Sequence, residues 1–424
     1  MPYFCSAVKL YCQFYYLLGT ISTKAIETSE VNPMKYDVIV VGGGMVGAAT
    51  ALALGEAGLQ VALVEQHQPE PYSNSLDTNN DADLRVSSIN LASEAWLSKL
   101  GAWQHLQQMR LCPYQRLQAF EHQHSVVSFS AQDIKHTHLG HIVENRLLQL
   151  AIFKQLSNNV TLYCPAQITA LQQDAEHATV TLNSGEVLQA KLVVAADGAN
   201  SQLRQLAAMG THGWQYQQAC LIALVRTPYP QQDITWQQFT EQGPRAFLPL
   251  TNNQASLVWY DNAVKVKQLA ALTPEQLQPL LLQAFPEQLG QVEVIKSGWF
   301  PLAKMQVNNY FQHRVVVVGD AAHTINPLAG QGVNLGFADS KLLTELVIAA
   351  YTNGEDLAAK GMLENYQRKR RLANTLMMAA MDTFYVGFSQ QMPLVRKLRQ
   401  LAMKAANNSG ELKNIVARYA VGLS

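Results

Sequence analysis

Short apolar runs that end in glycine or in an acid punctuate this chain. Residues 36–41 (Tyr-Asp-Val-Ile-Val-Val) form one such run, rich in β-branched residues, which predicts a buried parallel strand. Small and apolar residues then recur at helical density (Ala48, Ala49, Leu52, Ala53, Leu54) as far as Gly58, and Leu59 to Val64 reads as a second strand. Leu192 to Ala196 and Val315 to Val318 are further runs of the buried type. Between these two, residues 214–227, 234–240, 244–250 and 254–261 read as strands, with a turn at Thr251 to Gln254. Glu144-Asn145-Arg146 opens a helix, a long helix follows the glycine-rich stretch before Gly336, and another runs from Pro393 with Leu394, Val395, Leu398, Leu401 and Ala402 on one side. The pattern predicts an α/β chain in which a parallel-sheet region is interleaved with a second β-sheet region and closed by C-terminal helices.

The chemistry begins where the first strand ends. Gly42-Gly43-Gly44-Met45-Val46-Gly47 fits GxGxxG between a strand and a helix, and Glu65 closes the next strand 23 residues after Gly42. In such a fingerprint Gly42 permits the tight turn, Gly44 lets the backbone approach a pyrophosphate, and Gly47 allows close helix–strand packing. The helix N-terminus stabilises the phosphate charge, and the acid accepts hydrogen bonds from the adenosine ribose. The fingerprint alone does not separate FAD from NAD. Two further strands end in Asp197-Gly198-Ala199-Asn200-Ser201 and in Gly319-Asp320-Ala321-Ala322-His323, the latter followed by Asn326 to Gly336. An acid at a strand end can hold a polyol hydroxyl, and a glycine-rich loop opening a helix presents free backbone N–H groups to a negative charge.

Composition narrows the class. The chain has 424 residues, 48% of them apolar, and only 15% are charged, against about 25% in an average globular chain. Lys+Arg and Asp+Glu balance at 31 each, so nothing suggests a basic nucleic-acid binder. Five scattered cysteines form no CxxC pair, and the histidines show no metal-ligand spacing, so no metal site is expected and the reducing cytoplasm is the expected compartment. No apolar run reaches the roughly 18–20 residues that span a bilayer. Charge is uneven, however: residues 361–424 hold ten Lys/Arg and three acids. The basic helix from Pro393 is either a solvated face or an attachment to an anionic membrane surface. Residues 1–33 read as an appendage ahead of the first strand, with a short amphipathic anchor as the alternative.

The GxGxxG start, Asp197-Gly198 and Gly319-Asp320, in that order, resemble the class A flavoprotein aromatic hydroxylases over about residues 35 to 420. Asp83-Leu84-Arg85 followed by Ser88-Ile89-Asn90, together with Gly319 to Gly336, resemble the ubiquinone-biosynthesis hydroxylases among them. Residues 235–240, 243–250, 255–261 and 382–389 are similar to those family members that hydroxylate the last open ring carbon of a polyprenyl methyl-methoxy-benzoquinol. The resemblance implies FAD, with NAD(P)H as donor, O2 as co-substrate and a flavin C4a-hydroperoxide as the oxidant. It implies an FAD-binding domain of residues 34–113, 141–212 and 300–360, a substrate-binding sheet domain of 114–140 and 213–299, and a helical basic region of 361–424.

Residue by residue, the resemblance assigns the ADP half of FAD to Gly42, Gly44, Gly47 and Glu65 and a contact on the cofactor backbone to Arg85. Asp197 would lie near the pyrophosphate, with Asp197-Gly198 also tied to nicotinamide use. Asp320, beside Gly319, would hold the ribityl chain. Gly330, Gly332 and Asn334 would line the pyrimidine edge, and Pro327 would face flavin and substrate. His323 either caps the loop or borders the reaction site. Phe247, Leu248, Trp259 and Tyr260 are either sheet core or substrate wall. The partners expected are the polyprenyl quinol and O2, met at the inner face of the membrane or within a complex of ubiquinone-biosynthesis proteins. A flavin halogenase is disfavoured because no Trp-x-Trp-x-Ile-Pro segment is present. Hydroxylation at another ring position, or a non-catalytic FAD- or prenyl-binding assembly protein, stays open as the alternative.

Overall fold

In a computed structural model, residues 33–72, 81–121, 126–230, 232–325, 332–389, 407 and 410–423 are described. Pro327, Gly330, the basic helix from Pro393, and all of the N-terminal appendage but Pro33 lie outside them.

The β-branched runs assemble into an eight-stranded sheet among the described residues. Met34–Val41 lies at its centre, pairing in parallel with Val61–Val64 on one side and with Val187–Ala195 on the other. Val315–Val317 adds in parallel beyond Val187–Ala195, and Val160–Tyr163 beyond Val61–Val64. A parallel strand buried on both faces needs apolar residues at every position. Val38 to Val41, Val61 to Val64 and Leu192 to Ala195 are accordingly all buried. Helices Met45–Glu56, Asn145–Gln155 and Gly332–Asn353 cover the sheet, and nine of the twelve residues of the first are buried.

The second sheet is long and mostly antiparallel, ordered His323–Thr324, Glu293–Val307, Thr211–Arg226, Gln254–Asn262, Gly243–Pro249, Ile234–Thr240, Arg116–Phe120, Val126–Ser130. Period-2 alternation sorts its side chains. Ala219, Leu221, Ala223 and Val225 face one side, where they pack with Trp236, Phe247, Leu257 and Trp259 against helices Ala263–Ala270 and Pro274–Ala284. Cys220, Ile222 and Leu224 face the other side. Phe247 and Trp259 are therefore sheet core: Trp236 stacks on Phe247 at 5.6 Å, and Phe285 meets Trp259 edge-on at 6.0 Å. Tyr260, one residue on, belongs to the opposite face. Residue 300, the border drawn above between the two domains, falls inside the strand Glu293–Val307 of this sheet.

A small third sheet (Val86–Asn90, Gly140–Glu144, Cys112–Tyr114) brings Ser88 and Asn90 to Asn334 in the first turn of helix Gly332–Asn353. Helix Lys360–Ser389 packs on that helix, and among the described residues no helix is long and apolar enough to cross a membrane.

Candidate active site

Three parallel strands end side by side, and their last residues are Val41, Ala195 and Val317. The Ala196 N–H donates to the Val41 carbonyl at 2.8 Å, and the Val318 N–H to the Ala195 carbonyl at 3.0 Å. The GxGxxG turn, the Asp197-Gly198 turn and the Gly319-Asp320 turn are thus neighbours at the carboxyl edge of the sheet, where open α/β sheets bind ligands.

The fingerprint glycines have three different reasons to lack a side chain. Gly42 has φ +101°, and a Cβ there would stand 2.4 Å from the Ala196 carbonyl oxygen. A Cβ on Gly47 would stand 1.9 Å from the Gly42 carbonyl oxygen. Gly44, the N-cap of helix Met45–Glu56, has no protein atom within 4 Å of where its Cβ would be. Two glycines are required by the fold itself. The third borders open space at a helix N-terminus, which suits a pyrophosphate. Glu65 turns back toward this turn, accepting from the Gly43 N–H at 2.6 Å and the His67 N–H at 2.8 Å. A carboxylate has about four acceptor sites, so these bonds orient it and leave capacity for ribose hydroxyls. Gln149, which the sequence did not point to, donates to the Gly43 carbonyl at 2.7 Å.

Asp197 turns to its own chain: it accepts from the Ser201 hydroxyl at 2.5 Å and the Leu203 N–H at 3.0 Å, capping the short helix that follows. Gly198 has φ +80° and faces open space. Buried Arg204 bridges the two motifs, donating to the carbonyls of Ala199 and Ala321, both at 2.9 Å. Asp320 has a solvent-open side chain although protein crowds it on the remaining sides, as expected on the floor of a cleft. Partial desolvation raises its carboxyl above the usual range, against the lowering charges of His323 and Arg85.

Beneath the Gly319-Asp320 turn lies a network with no signature in the local sequence. Asp339, fully buried, accepts from the Gly319 N–H at 3.0 Å, His323 Nε2 at 2.5 Å, Arg370 Nε at 2.6 Å and Asn374 Nδ2 at 3.1 Å. Burial raises the Asp339 carboxyl, but the charges and hydrogen bonds of His323 and Arg370 outweigh it and bring it down to about 2. His323 Nδ1 and Thr324 Oγ1 are buried without a partner among the described residues. The Asn334 side chain accepts from the Asn90 N–H and the Ser93 hydroxyl and donates to the Ser88 carbonyl. It therefore ties helix Gly332–Asn353 to the small sheet. Arg85 holds the start of helix Asn145–Gln155 through its carbonyl, its side chain being exposed. Glu144 is buried and accepts from the Asp83 N–H and from Arg110, and Arg146 grips Asp83, so this group orders the approach to Arg85.

The FAD binding domain family matches residues 35–381. The 3-demethoxyubiquinol 3-hydroxylase of Escherichia coli is 43% identical over 389 residues, covering 91% of this chain and 98% of that protein. The chain belongs to the FAD-dependent hydroxylases of ubiquinone biosynthesis. Ubiquinone hydroxylase UbiL of Rhodospirillum rubrum is 34% identical over 91% of this chain and 89% of its own. The crystal structure of p-nitrophenol 4-monooxygenase from Pseudomonas putida superposes with a TM-score of 0.75 at 19% identity, covering 92% of this chain and 98% of that one, which shows a shared fold. The residues of this hydroxylase fit FAD on the observations above: an open helix N-terminus at Gly44, an oriented acid at Glu65 and a cleft-floor acid at Asp320.

Three substitutions test this arrangement in the hydroxylase. Gly44→Val should leave folding intact while FAD content falls at least about tenfold, since its side chain meets no protein atom. Gly47→Ala should yield little folded protein, because its Cβ collides with backbone. Flavin absorbance per folded chain, checked by circular dichroism, separates the two. Asp339→Asn should destabilise the holoenzyme by about 3–5 kcal/mol in denaturant titrations, because Arg370 and His323 lose their buried counter-charge. As the Asp339 carboxyl is depressed to about 2, its stabilisation is present at neutral pH. It should fade in wild type as pH falls from about 4 towards 2.

Proposed function

We propose that this hydroxylase inserts one oxygen atom into the ring of a polyprenyl methyl-methoxy-benzoquinol, with NAD(P)H as electron donor. The observation that carries the reading is the convergence of the three strand-end turns, taken with the 43% identity to a 3-demethoxyubiquinol 3-hydroxylase. In the balanced reaction a ring C–H becomes C–OH, the second oxygen atom leaves as water, and NAD(P)H with a proton supplies the two electrons. FAD, when bound, supplies the oxygen activation. The protein binds, orients and excludes water. Glu65 and Gly44 would take the adenosine and pyrophosphate, with Gly42 and Gly47 shaping the turn around them. Asp320 would take the ribityl chain, and Gly332, with Pro327 and Gly330, the isoalloxazine edge.

For the quinol, the support is the second face of the long sheet. Cys220, Tyr260 and Leu302 lie there with the partly buried Tyr216, Ile222, Val258, Phe300 and Met381, an apolar wall suited to a ring and a prenyl chain. The Tyr260 hydroxyl is buried and has no partner among the described residues. A buried hydroxyl left unpaired costs about 1–3 kcal/mol, and a quinol oxygen would relieve it. His323 Nδ1 and Thr324 Oγ1 offer two further polar atoms; with Nε2 held by Asp339, His323 can hold or pass a proton only at Nδ1.

A polyprenyl quinol must be met at a bilayer or on a lipid-carrying partner. Helix Lys360–Ser389 exposes Leu372 and Leu376 (64% and 56%) among Arg368, Lys369 and Arg371, a pattern suited to an anionic membrane surface.

A strain lacking the hydroxylase should accumulate the demethoxyquinone and lose ubiquinone; accumulation of a polyprenylphenol would move the reaction to an earlier step. Tyr260→Phe should keep its FAD and its stability and lose about tenfold in kcat/KM. Unchanged kinetics would confine Tyr260 to sheet packing. Joint replacement of Arg368, Lys369 and Arg371 by Gln should reduce co-sedimentation with phosphatidylglycerol vesicles at low salt while FAD is retained. Equal binding would leave that face merely solvated.

A further inference from the structure

We propose that Glu94, His138 and His141 bind a divalent transition-metal ion, with zinc the ion that the donor set favours. The three lie apart from the three strand-end turns. Glu94 is in the first turn of helix Leu91–Lys99, His141 is in strand Gly140–Glu144, and His138 is in the loop that leads into that strand. His138 Nε2 lies 2.8 Å and His141 Nδ1 3.2 Å from the same Glu94 oxygen, and all three donor atoms lie within 4.8 Å of one another. Tetrahedral zinc with bonds of about 2.0–2.1 Å spaces its donors about 3.3 Å apart. Both Glu94–histidine separations lie within about 0.5 Å of that spacing.

The site is built rather than incidental. His141 sits on a strand paired on both sides, and its ring meets Trp103 edge-on at 5.2 Å. The other nitrogen of His138 bonds Thr137 Oγ1 at 2.8 Å, the outer contact that fixes the tautomer and orientation of a ligating imidazole. Asn90, the cap of the helix that carries Glu94, is itself held by Asn334. Two imidazoles and one carboxylate suit zinc far better than magnesium or calcium, which take oxygen donors. His138 and Glu94 each keep 19% side-chain exposure, so an ion can enter and water can complete its coordination. Bound there, it would fasten helix Leu91–Lys99 to strand Gly140–Glu144.

The test uses tag-free holoenzyme, stripped with a chelator and titrated with zinc chloride against a chromophoric competitor. A single equivalent should bind per chain, and the melting temperature should rise with zinc. His138→Ala and Glu94→Gln, both partly exposed positions, should each weaken zinc binding at least about tenfold and abolish the thermal shift, with FAD content unchanged. Absence of an endpoint in wild type would overturn the proposal. So would an endpoint of the same affinity in both variants, which would place the zinc elsewhere and leave two histidines hydrogen-bonded to a glutamate. Neither readout depends on hydroxylase activity.

Discussion

Asp339 accepts four hydrogen bonds where no water reaches, and three separate parts of the chain depend on them. The turn after strand Val315–Val317 is held through the Gly319 N–H, the residues that follow it through His323, and helix Lys360–Ser389 through Arg370 and Asn374. A buried ion pair of this kind adds little net stability, because desolvation consumes most of the Coulomb gain. Its contribution is placement: it pins the Gly319 N–H, one residue before Asp320, from below.

The same turn joins the two large sheets. His323–Thr324 pairs with Met305 and Gln306 at the edge of the second sheet, while Val315–Val317, a few residues earlier, pairs with Val187–Ala195 in the first. A backbone ladder therefore links the dinucleotide side of the hydroxylase to the sheet whose apolar face carries Tyr260. A shift of one residue in the Thr211–Arg226 pairing would exchange its two faces. Cys220 would then turn toward the helices, and Leu221 toward the face that holds Tyr260.

Packing against backbone leaves no room for side chains at several positions along the strand ends. Gly42 and Gly47 are pressed against carbonyl groups, and Gly336 lets helix Gly332–Asn353 approach Val46 and Gly319. Thr50 and Ser340 lock the same two helices with a hydroxyl–hydroxyl bond of 2.6 Å. Gly44, alone among the three fingerprint positions, would carry a Cβ into open space rather than against protein.

The buried strands, the dinucleotide turn and the order of the three motifs were legible in the chain, because each is written in contiguous residues. A strand buried on both faces must be apolar throughout, and a turn packed as closely as this one needs glycine at Gly42 and Gly47. Helix Pro274–Ala284 also has a local signal, the capping box of Thr273 and Gln276, although the apolar pattern alone passed over it. Tertiary structure decided what depends on distant pairing. Asp339 meets Arg370 across 31 residues and His323 across 16, and Glu94 meets His138 across 44. The Asn334 side chain reaches Asn90, Ser93 and Ser88 across more than 240 residues. Which of Phe247, Trp259 and Tyr260 face the helices was settled by strand register. Periodicity tells which residues share a face; only the assembled sheets decide what that face meets.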